Sequence, residues 1–183
     1  TLQQVASSRL GFGASRTMQI AQKLYQGIEI DGDTVGLITY MRTDGTNLSK
    51  DAISDFRNYI KKEYGNKYLP DDPNNYSGKK AKNAQEAHEA IRPTDIKRNP
   101  DSLKQYLSSD QQKLYNLIWS RALSSQMETA KFDRNTITIE SEDSKTVSKS
   151  SGSVLKFDGF LKIYSNQSKD DDEQILPEMS KGP

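Results

Sequence analysis

The apolar positions of this chain follow two patterns, one before about residue 130 and one after it. In the first, apolar residues recur every three or four positions, as on the buried face of a helix. Leu2, Val5, Ala6 and Leu10 share one such face, and Gly11 stops the helix. Ser15 is placed to cap a second helix carrying Met18, Ala21, Leu24 and Tyr25, which Gly27 ends. Ser49 opens a third, running to about Tyr64 with Ile53, Phe56 and Ile60 inward and Gly65 beyond its end. A shorter helix is predicted from about Gln85 to Ile91. It stops before Pro93, because the residue preceding a proline is driven out of the helical region. The longest runs from Ser109 to about Met127 and buries Leu114, Leu117, Ile118, Trp119 and Ala122.

The connections are polar. Ile28–Thr34 reads as a charged turn, with Asp31-Gly32 suited to a hairpin-like reversal. Val35–Ile38 is a strand-like run that delivers Tyr40 to a polar loop. Residues 66–80, with Pro70, Pro73, Asn74, Asn75 and Gly78, read as an exposed loop. Past residue 130 the period becomes two. Thr136–Ile139 alternates, as do parts of Val154–Phe157 and Leu161–Tyr164, between Ser/Lys/Asp-rich turns and Asp158-Gly159. The pattern predicts an α+β chain. A mainly helical domain over residues 1–130 has a helix-turn-helix-like start, and a partial antiparallel β region follows over 131–183. Two helices joined by a Gly-bearing turn are common, so that start says little by itself. The last stretch, from the acidic run Lys169–Glu173 onward, is too polar to fold alone.

Charge narrows the function classes. Lys+Arg 26 against Asp+Glu 25 gives a formal net charge of +1, which excludes a strongly basic DNA-coating protein. A local basic groove stays open, since steering depends on how charge is distributed. Without cysteine there is no disulfide framework and no thiolate metal site. Mean hydropathy is -0.86. No window approaches the ~20 apolar residues of a membrane helix, and no basic-then-apolar leader opens the chain. The chain begins at Thr1 and ends at Pro183. We therefore expect a piece of a longer, soluble, cytoplasmic protein.

The candidate chemistry sits in Thr39-Tyr40-Met41-Arg42-Thr43-Asp44. A free phenol titrates near ~10 and needs a cation or a base before it can attack phosphorus. The guanidinium of Arg42 stays protonated and cannot be that base. Its chemistry suits it to grip a phosphate bidentately and to stabilise charge in the transition state. Tyrosine also makes the reverse step easier, because a phenolate leaves more readily than a serine alkoxide. A lone tyrosine at a strand end is otherwise an ordinary half-buried residue. The second cluster is Gln85-Glu86-Ala87-His88-Glu89-Ala90-Ile91-Arg92-Pro93-Thr94, with the only histidine of the chain. His88 can donate to a phosphate oxygen or relay a proton near neutral pH. On a helix, Arg92 would share its face. Arg92 stands where a zinc-binding H-E-x-x-H helix needs its second histidine, so zinc is rejected. Asp31-x-Asp33 and Asp170–Glu173 carry carboxylates suited to Mg²⁺. A turn and a solvated tail account for them better, since nothing apolar fixes either.

Taken together and in this order, the motifs resemble the type IA DNA topoisomerases, in their bacterial branch. Also matching are Leu2-Gln3-Gln4, Leu10-Gly11-Phe12, Arg16-Thr17-Met18 through Tyr25, Gly36-Leu37-Ile38, Lys113-Leu114-Tyr115 with Ile118-Trp119, and Phe157-Asp158-Gly159-Phe160. The resemblance implies an enzyme that cuts one DNA strand through a 5′-phosphotyrosyl bond, passes a strand, and reseals, without ATP. It makes Tyr40 the nucleophile and Arg42 a contact to the scissile phosphate. His88 helps arrange the site and Asp44 assists proton movement. Thr39, Arg92, Thr94 and Arg16 join Arg42 as DNA-binding candidates. Residues 1–130 resemble the helical gate domain and 131–183 part of a β-rich arch. Magnesium would be held by a domain absent from this chain, so no metal site is expected here and the chain alone should be inactive. The implied partners are single-stranded or locally unpaired DNA and the missing domains of the same polypeptide, with no membrane and a cytoplasmic, nucleoid-associated location.

One departure is local. Gly45 stands where the family usually has serine, which removes a hydroxyl and adds backbone freedom. Three other readings compete. A non-catalytic helix-turn-helix DNA-binding module leaves Tyr40-Met41-Arg42 unexplained. A tyrosine recombinase fails on order, since its tyrosine follows its arginine and histidine, whereas Tyr40 precedes His88 and Arg92. An interaction domain unrelated to nucleic acid fits the net charge of +1.

Overall fold

The computed structural model describes residues 1–76, 88–141 and 146–164. It divides into two compact units, Thr1–Met127 and Glu128–Pro183. The described residues form an α+β structure of helices and two small antiparallel sheets.

In the first unit, α1 (Leu2–Leu10), α2 (Ala14–Gln26) and α4 (Ser109–Ser124) pack on one another. Helix α1 starts at a capping box between Thr1 and Gln4 and ends at Gly11. It buries little: Ala6 is enclosed while Val5 is 38% exposed. Gly13, rather than Ser15, caps α2, whose inward face is Thr17, Ile20, Ala21 and Leu24. Helix α3 (Lys50–Glu63) is capped by Ser49 and buries Ala52, Phe56 and Ile60. A 3-10 turn, Asn66–Tyr68, follows and packs on it, so Tyr68 is buried in what reads as exposed loop. Asn74 then donates to the carbonyls of Ser125 and Met127.

Helix α4 is the spine of the unit. Ser108 caps it, and Leu114, Tyr115, Leu117, Ile118, Trp119, Ala122 and Leu123 line its buried face. The two aromatics also bind backbone. Tyr115 Oη donates to Arg98 O (2.7 Å) and Trp119 Nε1 to Ile96 O (3.0 Å). Burial pushes the Tyr115 phenol well above its ordinary value, with Asp95 adding to the effect.

The reversal expected at Asp31-Gly32 forms, and two further expectations for this unit change. Ile28–Thr34 belongs to a hairpin of β1 (Ile28–Ile30) and β2 (Asp33–Val35). Asp31 and Gly32 both take positive φ (52° and 92°), the twist a two-residue reversal needs. The strand expected over Val35–Ile38 ends at Val35, and Ile38 instead makes an isolated antiparallel bridge with Pro93. The helix expected over Gln85–Ile91 is not formed in its described part, His88–Ile91. There Ala90 N donates to Asn47 O (2.8 Å), a cross-chain bond that replaces the helical one. Residues 85–87 lie outside the described residues, as do residues 165–183 with the acidic run at 169–173.

In the second unit, β3 (Lys131–Glu140) and β4 (Val147–Phe157) form one antiparallel hairpin with a register shift at Lys131/Phe132. Leu161–Tyr164 is a short helix, α5, and not the strand that its alternation predicts. Gly159 (φ 47°) turns the chain, and the next bonds run i to i−3: Leu161 N to Asp158 O, Lys162 N to Gly159 O and Ile163 N to Phe160 O. Four residues are too few for a period of two to be told from a single helical turn.

Leu114→Ala should lower stability by about 2–5 kcal/mol, because Leu114 is fully enclosed and the cavity cannot refill. Urea unfolding followed by Trp119 fluorescence measures it. A change below about 0.5 kcal/mol would mean that α4 is not the spine of the core.

Candidate active site

The candidate nucleophile is held by residues on both sides of it. Leu37, Ile38 and Met41 are buried, while Tyr40 between them is 40% exposed. Leu37 N donates to Leu24 O (2.8 Å), which ties the run to the end of α2. On its other side lies the segment 90–94. Thr94 N donates to Leu37 O (3.0 Å) and Thr39 N to Arg92 O (2.9 Å). Two hydroxyls reinforce this pairing. Thr39 Oγ1 donates to Ala90 O (2.8 Å) and accepts from Arg92 N (3.0 Å), and Thr94 Oγ1 donates to Gly36 O (2.7 Å).

That pairing delivers His88 to Tyr40. Their ring centroids are 5.7 Å apart at 52°, and Tyr25 from α2 meets Tyr40 on edge at 5.6 Å and 69°. The phenol is thus flanked by two rings, both exposed to solvent. Such contacts fix ring orientation at little cost. Arg42 and Asp44 are also exposed, and neither joins an ion pair among the described residues. An open groove of about 430 Å³ lies beside Arg42, lined also by Leu2, Gln3, Met18, Met41 and Thr43. Tyr59 is a poorer candidate. Burial, with Tyr64 and Glu63 nearby, pushes the Tyr59 phenol up to about 12.

The remaining candidates separate. Arg92 is only 15% exposed and is engaged bidentately by Glu89, Nε to Oε1 at 2.7 Å and Nη2 to Oε2 at 3.0 Å. Its Nη1 donates to Pro93 O (2.9 Å), so the guanidinium is already occupied. Arg16 pairs with Asp110 at 2.5 Å and lies over the Phe12 ring, yet stays 57% exposed. Thr39 and Thr94 spend their hydroxyls on backbone. The structure therefore brings Tyr40, His88, Arg42 and Asp44 to one loop cluster and gives Thr39, Thr94 and Arg92 the work of holding it.

Glu89 and Tyr25 were not singled out from sequence. Glu89 binds Arg92 and also accepts from Ser49 N (2.9 Å), the start of α3. Burial alone would raise its carboxyl; the bonds from Arg92 and Ser49 outweigh that and hold it below the usual range. Its spacing of three from Arg92 was the available signal. Tyr25 gave none beyond its place on α2.

A family model described as DNA topoisomerase matches residues 1–183. The chain belongs to the DNA topoisomerase family. The DNA topoisomerase 1 of Rickettsia typhi is 55% identical over 174 residues, covering 95% of this chain and 22% of that protein. That of Salmonella typhimurium is 47% identical over 182 residues, covering 100% of this chain and 20% of that protein. The solved full-length topoisomerase I of Thermotoga maritima matches with a TM-score of 0.82 at 37% identity, over 100% of this chain and 28% of that one. The chain spans about a fifth of the length of these curated relatives. It is thus similar to one part of bacterial topoisomerase I.

Within this topoisomerase segment the Glu89 network sets a pH dependence. A carboxyl held low in the folded state stabilises above its unfolded pKa, and the effect disappears as pH falls through the folded value. Wild type should exceed Glu89→Gln by about 1–3 kcal/mol at pH 7, with the difference shrinking below about pH 4. Urea unfolding at pH 7 and pH 3 tests this. An equal difference at both would remove the charge of Glu89 from the account.

Proposed function

We propose that this chain is the tyrosine-bearing gate segment of a type IA topoisomerase, ATP-independent, that relaxes negative supercoils. The observation that carries it is Tyr40, exposed yet fixed between Tyr25 and His88, with Arg42, in no ion pair among the described residues, two residues on. In this reading residues 1–130 form the strand-cleavage domain and 131–183 belong to the arch.

Tyr40 Oη attacks the scissile phosphorus, forming a 5′-phosphotyrosyl ester and breaking the bond to the 3′ oxygen of the preceding sugar. The phenol gives up one proton and the departing 3′ oxygen gains one, so cleavage consumes no water and resealing is the exact reverse. Arg42 grips the phosphate oxygens and offsets the charge that builds on them. His88 donates to a phosphate oxygen from beside the phenol, and Asp44 assists the proton. Arg16, at the exposed start of α2, meets the strand away from the chemistry. The substrate is single-stranded or locally unpaired DNA, and the enzyme works in the cytoplasm at the nucleoid. Among the described residues no helix is long and apolar enough to cross a membrane.

Magnesium belongs to this reading as an ion held by the remaining domains of the polypeptide. Among the described residues no three His, Asp or Glu side chains converge on a metal position, and Glu89 is committed to Arg92. The remaining domains of the polypeptide would bind the ion, and no step above passes through it.

In the full-length enzyme Tyr40→Phe should abolish covalent attachment to end-labelled single-stranded DNA and leave the melting temperature unchanged. Arg42→Ala should lower cleavage by about 100-fold or more, the scale of one lost transition-state contact, without unfolding. A Tyr40→Phe enzyme that still relaxes DNA would overturn the assignment. It would return the chain to the non-catalytic helix-turn-helix reading.

A further inference from the structure

We propose that the groove beside Arg42 is the subsite for one nucleobase, that of the nucleotide whose 5′ phosphate Tyr40 attacks. This rests on the reading of Tyr40 and Arg42 given above. The groove, about 430 Å³, falls within the ~300–1,000 Å³ of clefts that hold small organic groups. Its lining divides by chemistry. Met41 is 3% exposed, and Met18 and Leu2 are half-buried. These three apolar side chains give the flat face of a base a surface on which to leave water. Methionine suits the task, because its polarisable thioether adapts to an aromatic outline. Gln3 and Thr43 add hydrogen-bonding groups for a base edge. Thr43 Oγ1 accepts from Gly45 N (2.9 Å), which leaves its O–H to donate. Arg42, exposed and in no ion pair among the described residues, supplies the charge that a phosphate complements.

Position ties the groove to the nucleophile. Arg42 is two residues from Tyr40, so their Cα atoms are at most ~7 Å apart. Helix α2 runs beside both. Tyr25 meets the Tyr40 ring at 5.6 Å, and Met18, seven residues earlier and so on the same side of the helix, lines the groove. A phosphate gripped by Arg42 and joined to Tyr40 therefore brings its own nucleotide to the mouth of the groove. The nucleotide on the other side of the cut departs with the free 3′ oxygen and has no such tether. Every base has an apolar face, so the subsite holds the attached end without selecting a sequence.

Two experiments on the full-length enzyme test this. In the first, single-stranded DNA with one cleavage site carries 5-iododeoxyuridine as the first nucleotide 3′ of the cut, and the Tyr40→Phe enzyme holds it. Irradiation should crosslink that base to Leu2, Gln3, Met18 or Thr43, read by mass spectrometry of the attached peptide. A crosslink to other residues alone, or none, would overturn the proposal. In the second, the same nucleotide is made abasic. Wild-type cleavage should fall about 10-fold, the scale of one stacked base. Met18→Ala should remove most of that difference, and Met18→Leu should retain it. An equal fall in wild type and Met18→Ala would overturn the proposal, as would a fall only when the nucleotide 5′ of the cut is abasic. The crosslink decides even if Met18→Ala does not fold. If Tyr40→Phe still cleaved DNA, the functional reading would fail, while the crosslink would still show whether a base enters the groove.

Discussion

Everything at the candidate site depends on one pairing of extended backbone, Gly36–Thr39 against Ala90–Thr94. These segments are more than 50 residues apart in the chain, as the Thr39-to-Ala90 bond shows with its separation of 51. Closing so long a loop costs entropy, though the cost grows only slowly with length. The return comes from backbone bonds made by Leu37, Thr39 and Thr94 and from the threonine hydroxyls that double them. Helix α4 supports the far side, where Trp119 and Tyr115 capture the carbonyls of Ile96 and Arg98. Those captures carry the fixed path of the segment on beyond Thr94, which is itself bound to Leu37 O and Gly36 O.

The same pairing sorts the arginines into different roles. Arg92 lies inside it, and its guanidinium is consumed by Glu89 and by Pro93 O. A half-buried charge of this kind is tolerable because it is paired and hydrogen-bonded. Arg42 lies just outside it and is exposed. A net charge of +1 therefore says little about phosphate binding. What counts is which cations are already engaged, and that follows from the fold.

Much of the helical scaffold was legible because local signals and the buried face agree. Ser49 caps α3, and Phe56 and Ile60 are buried as their spacing requires. Leu114 to Ala122 behave the same way on α4. Tyr40 with Arg42 could be picked out because a phenol beside a cation is chemically conspicuous. What was not legible depends on distant partners. Ala90 and its neighbours have good helix propensity, yet Ala90 N is claimed by Asn47 O, and tertiary pairing overrides propensity. Thr39 and Thr94 look like phosphate ligands in sequence. Only the fold reveals that their hydroxyls face backbone carbonyls.

A nucleophile must be exposed to reach its substrate and yet held still enough to react. Tyr40 meets both demands through its neighbours in sequence and in space. Ile38 and Met41, 1% and 3% exposed, anchor the backbone on either side of it. Tyr25 and His88 restrain the ring while leaving 40% of the residue open. Ordering of this kind, completed during folding, is not charged again when a ligand binds. The rings differ in how they are supported. Tyr25 stands on a helix whose core is closed by Ala21 and Leu24, whereas His88 stands outside any helix or strand, on a segment held by hydrogen bonds, the Glu89–Arg92 ion pair and the buried Pro93. Any adjustment of the site on substrate binding should therefore begin on the histidine side.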